Sequence, residues 1–177
     1  MLVAMSVFGW LAWTSRQEAG VGRVAGARPL SAATSPIPDE RYELLAAFEA
    51  PAYVSEPGAP KSFLTAMALY GKQDYAGAAS ALRPVTNAKP DFVAARFYLG
   101  ISLLLGGDRI SGIQELRALT ETRDNSYLER ARFYLAKGLI AEHDSHRAQE
   151  QLEGVIALHG DLEKQAAVLL TQIRPAE

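Results

Sequence analysis

The sequence predicts an all-α fold, an array of about three stacked helical hairpins closed by a C-terminal capping helix. Three observations predict it. The stretch Ala95-Arg96-Phe97-Tyr98-Leu99-Gly100 returns as Ala131-Arg132-Phe133-Tyr134-Leu135-Ala136, 36 residues later, and a repeat of that length is one helix–turn–helix unit. The spacing inside the unit also repeats. Asp108 and Asp144 each follow eight residues after Gly100 and Ala136, Leu116 and Leu152 eight residues after those, and an earlier copy runs Ala66, Asp74, Leu82. Finally, 49% of the 177 residues are apolar, enough to build a core.

Composition narrows function by exclusion. The formal net charge is −2, and Lys and Arg are scattered, so the chain has no electrostatic footprint for nucleic acid. It has no cysteine, which removes disulfides, thiol catalysis and thiolate metal sites together.

In chain order, residues 1–14 open with the apolar run MLVAMSVFGWLAW, and no charge appears until Arg16. A spanning helix needs about 20 apolar residues, and Trp10 and Trp13 stand at the C-terminal end of this run, where interfacial aromatics belong. The segment therefore reads as a truncated transmembrane anchor whose beginning lies upstream of Met1, with a buried helix as the alternative. Residues 15–38 are rich in Gly, Ala, Ser, Thr and Pro without an apolar face, the composition of a flexible tether. In residues 39–59, Asp39 can cap a short helix with Tyr42, Leu45 and Phe48 or Glu49 at helical spacing. Pro51 ends that helix, and Ala52-Tyr53-Val54 should run extended.

Residues 60–174 hold the repeats. Second helices should start near Tyr75, Arg109 and Ser145, with Asp74 and Asp108 as caps at the preceding turns. Ala78, Gly112 and Ala148 place small residues where helices approach, and Leu82, Leu116 and Leu152 fill the core one turn later. The last helix, from Asp161 to Ile173, has Leu162, Ala166, Leu169 and Leu170 on one face and Glu163, Lys164 and Gln165 on the other, as a terminal cap requires. This makes seven helices in the array and one before it.

The pattern resembles the tetratricopeptide repeat (TPR). Leu99-Gly100, Gly107-Asp108, Asp74-Tyr75, Ala78, Ala148 and Pro90 match its consensus. Thr65-Ala66 departs from Leu-Gly, while Ser62, Arg96 and Arg132 replace the consensus tryptophan. Asp124 and Gly160 replace the terminal proline, and the 36-residue spacing implies a two-residue insertion within Thr122-Arg123-Asp124-Asn125. The resemblance covers about two-thirds of the chain and implies a right-handed superhelical array, but it leaves function nearly open. The order of apolar helix, Ala/Pro-rich tether, Pro51-Ala52-Tyr53 and repeats is similar to bacterial membrane-anchored proteins of the zinc-finger anti-sigma-factor type. That resemblance implies a repeat domain outside the cytoplasmic membrane, in the periplasm. The zinc-binding half has no counterpart in this sequence, so anti-sigma activity is carried over to no residue.

In such an array the first helices line the concave face. The expected peptide-binding residues are Phe63, Met67 and Tyr70 from the first unit, Phe97, Tyr98, Ile101 and Leu104 from the second, and Phe133, Tyr134, Lys137 and Ile140 from the third. Phe97 and Phe133 are open to a second reading, as packing residues between units. Tyr98 and Tyr134 combine apolar area with a hydroxyl. The expected ligand is an extended or helical peptide of a protein partner, with an internal occupant, Tyr42 to Val54, as the alternative. His143-Asp144-Ser145-His146 at a helix junction reads as a capped turn, since two histidines without a third ligand make no metal site. No glycine pattern forms a phosphate loop and no serine has a nucleophile-elbow context. The sequence thus predicts no catalytic, cofactor-binding or metal residues: a non-catalytic, membrane-tethered binding scaffold, possible sensory half of a transmembrane regulator. The other reading is a cell-envelope assembly factor working through self-association or its convex face.

Overall fold

The computed structural model describes Glu43, residues 46–47, 49–53, 56–122 and 126–173. The expected anchor (1–14), the tether (15–38), most of the short helix after Asp39 and the insertion site at 123–125 lie outside the described residues. Among the described residues there are seven helices and no strand. They are α1 (Lys61–Gly71), α2 (Tyr75–Ala88), α3 (Val93–Leu105), α4 (Arg109–Glu121), α5 (Leu128–Ala141), α6 (Ser145–Ile156) and α7 (Glu163–Ile173). Each packs mainly against its neighbours in sequence, and α3 also meets α5.

The same turn is built inside each of the three hairpins. Asp74, Asp108 and Asp144 each accept a hydrogen bond from the backbone N–H three residues on, at 2.9, 3.3 and 3.0 Å, satisfying a donor that the helix start leaves free. The residue before each aspartate is left-handed: Gln73 at φ 62°, Gly107 at 94° and His143 at 58°. In the first and third turns the N–H of that residue and of the aspartate bond back to the closing helix. Gln73 and Asp74 reach Tyr70 O and Leu69 O, and His143 and Asp144 reach Ile140 O and Leu139 O. This is a Schellman closure, which favours glycine at the left-handed position. Only the middle turn has one.

Helix packing follows the small residues. Ala66, Ala78, Ala136 and Ala148 are fully buried in the outer two hairpins. In the middle hairpin the corresponding residues are Gly100 and Gly112. A Cβ on Gly100 would lie 2.8 Å from Leu116 Cγ, and one on Gly112 would lie 2.9 Å from the Gly100 carbonyl oxygen. Helices α3 and α4 are therefore closer than alanine allows. Leu82, Leu116 and Leu152 are fully buried, each contributing about 1.5–3 kcal/mol.

The arginines at the consensus tryptophan position tie the helices of a hairpin together. Arg96 Nε lies 3.6 Å from the Glu115 carboxylate, and Arg132 donates to Gln151 Oε1 at 3.1 Å, the same pair of positions one repeat on. Helix α7 starts two residues later than the periodicity places it. Glu129 of α5 accepts from Leu162 N at 2.7 Å, which holds residues 160–162 in a turn.

Candidate functional site: a groove holding an extended segment

Residues 49–53 have no regular secondary structure and lie against the first helices of the first two hairpins, α1 and α3, with Ala47 before them meeting α5. Pro51 upstream of Tyr53 disfavours helix here, so the carbonyls of the segment are free for side-chain partners. Tyr70 of α1 donates to Pro51 O at 2.9 Å, and Tyr98 of α3 donates to Ala52 O at 3.2 Å. Tyr127, at the start of α5, donates to the Glu56 carboxylate. Lys137 of α5 donates to Ala47 O at 2.8 Å. Each of these bonds has its donor on a helix or, for Tyr127, at a helix N-cap, and its acceptor on the chain before α1.

One aromatic anchor accompanies them. The Tyr53 ring meets Phe63 and Tyr98 edge to face, with centroids 5.8 and 5.7 Å away, a favoured geometry for aromatic pairs. Pro51 is buried. The Arg130 guanidinium lies 5.2 Å from the Phe97 ring centroid and 5.3 Å from that of Tyr127, placing positive charge beside the Tyr127–Glu56 bond. Burial drives the Tyr70 hydroxyl well above the ordinary phenol range. It does the same for Tyr127, where the hydrogen bond to Glu56 adds to the effect, and it also raises Tyr134. Burial pushes the Lys137 ammonium below its ordinary range.

The sequence-predicted residues separate into three groups. Tyr70, Tyr98 and Lys137 bond the segment, and Phe63 packs on its aromatic ring. Met67, Phe97, Ile101, Leu104 and Ile140 are buried in the core. Phe133 and Tyr134 belong to the third hairpin, Phe133 buried and Tyr134 half-buried, and Phe133, Lys137, Lys164, Gln165, Val168, Leu169 and Gln172 border an open cavity there. Val168 is 59% exposed there.

Tyr127 and Glu56 were outside the sequence-based set. Tyr127 precedes α5 and corresponds to Asp91 in the unit before, so the repeat gives it no weight; its only signal is a lone large aromatic at a helix start. His146 and Asp144 serve local roles, His146 Nδ1 lying 3.7 Å from Glu150 and Asp144 capping α6. No family model matches this sequence, and no curated protein matches it.

Proposed function

We propose that this chain is a non-catalytic binding scaffold of the TPR kind, a right-handed superhelical array whose groove takes an extended peptide segment of a protein partner. One observation carries the reading: donors from all three hairpins converge on main-chain carbonyls and one carboxylate of the chain segment that precedes α1. Side-chain donors to a peptide backbone, with a pocket for an alternate side chain, are how helical and sheet surfaces read extended ligands. The N-terminal apolar segment supports membrane tethering, and the similarity to membrane-anchored anti-sigma-factor-type proteins supports an extracytoplasmic, periplasmic repeat domain at the bacterial cytoplasmic membrane, as the sensory part of a regulator.

The test is fluorescence anisotropy with a labelled peptide of the sequence of residues 47–56, titrated into the full chain carrying Tyr53→Ala and Glu56→Gln. Saturable binding, lost on further substitution of Tyr127 by Phe, is the expected result. Absence of saturable binding, together with concentration-dependent self-association in sedimentation, would move the assembly-factor reading ahead.

A further inference from the structure

We propose that the part of the chain before α1 that contacts the helices, Ala47, Pro51, Ala52, Tyr53 and Glu56, is a built-in competitor for the groove, which opens to a partner's acidic, proline- and aromatic-containing segment only when the chain's own residues leave. This rests on the peptide-binding reading above.

The seated segment is itself the description of the ligand. Three of its four acceptors are main-chain carbonyls, those of Pro51, Ala52 and Ala47, the last at the close of a helical turn, and a backbone carbonyl carries no sequence information. Specificity falls to the remaining features: a proline that disfavours helix, an aromatic ring between Phe63 and Tyr98, and a carboxylate three residues further on that accepts from Tyr127. The groove is complementary in charge, with Arg130 stacked beside Tyr127 and Lys137 at the other end of the segment. A partner segment with a carboxylate and an aromatic at that spacing satisfies every donor that the departing segment leaves.

The connection to the fold makes departure possible. Pro57-Gly58-Ala59-Pro60 joins the segment to α1 through a turn in which Gly58 has φ 76° and Ala59 N–H bonds Glu56 O at 3.1 Å. The segment is anchored by side chains and one ring rather than by a backbone ladder. A hinge this short holds it at an effective concentration in about the millimolar range, so an incoming peptide competes against that concentration and its affinity is lowered in proportion.

Lengthening the hinge tests this without altering any groove contact. Inserting about 20 Gly/Ser residues between Gly58 and Ala59 should lower the effective concentration about tenfold. The labelled peptide of residues 47–56 should then bind the lengthened full chain about tenfold more tightly than the natural chain. Tyr53→Ala with Glu56→Gln in the natural chain should move affinity the same way, with circular dichroism checking that helix content is kept. Equal affinity for the natural and lengthened chains, with binding still lost in Tyr98→Phe plus Tyr127→Phe, would overturn the competitor and leave the peptide-binding reading standing. No binding to any of these folded chains would take down both. A lengthened chain that sediments as a dimer would assign the groove to a second copy's segment and overturn the proposal in that form.

Discussion

Tyr98 and Tyr134 stand at the same position of successive repeats, yet Tyr98 is fully buried while Tyr134 is half-buried. The two ends of the groove differ in the same way. Around Tyr98, the Phe63, Tyr70 and Tyr127 rings close on the extended segment and its Tyr53. Around Phe133, the face between α5 and α7 stays open, edged by Lys137, Lys164 and Val168. Repeat position alone therefore does not set burial on this face. Around Tyr98 the Tyr53 ring of the segment adds to the cover that Phe63, Tyr70 and Tyr127 provide.

The largest effect should come from removing the two tyrosines one at a time. Tyr98→Ala empties a fully buried aromatic site and should destabilise the fold by about 3–5 kcal/mol. Tyr134→Ala should cost about 1 kcal/mol. Denaturant unfolding of the two variants measures the difference, and similar values would mean that the ends are alike. The next effect concerns the middle hairpin, which carries Tyr98. Gly100→Ala should cost about 1–3 kcal/mol, because the new methyl meets Leu116. Ala136→Ser, at the matching position of the open end, adds a buried hydroxyl instead and tests polarity rather than space.

Alkaline pH should act on the covered end. The Tyr70 and Tyr127 hydroxyls have raised folded-state values, so the stability they contribute is complete below the ordinary phenol value of about 10. It is lost as pH rises past that value, because the unfolded chain releases those protons first. Unfolding free energy followed alongside tyrosinate absorbance should show the decline, and Tyr70→Phe with Tyr127→Phe should flatten it. The smallest effects serve as a control. Gln73→Gly, at the covered end, and His143→Gly, at the open end, each relieve a left-handed non-glycine residue and should gain about 0.5–1 kcal/mol. Equal gains in thermal unfolding would show that the turns do not cause the difference between the ends.

Much of the helical frame was legible because it depends on local and periodic signals. Asp74, Asp108 and Asp144 announced three helix starts, and Leu82, Leu116 and Leu152 the core between helices. The middle hairpin's glycine pair was visible as a small residue at each position, though its closer approach was not. The groove was legible in part. Tyr70 and Tyr98 belong to repeated helix faces and were named, whereas Tyr127 lies just before a helix and pairs with Glu56, 71 residues away. No period links two such residues. Pro51 marked the end of the short helix, and residues 49–53 have no regular secondary structure, but the choice between an external ligand and the chain's own residues turns on three-dimensional reach, which periodicity does not contain.

The central claim is that the chain's own segment fills the groove, and nuclear Overhauser contacts to the Tyr53 ring in the full-length chain test it most directly. With ring centroids 5.8 Å from Phe63 and 5.7 Å from Tyr98, cross-peaks from Tyr53 ring protons to both rings are the predicted result. A Tyr53 ring without contacts to either, beside well-resolved contacts between Phe63 and Phe92 in the core, would contradict it.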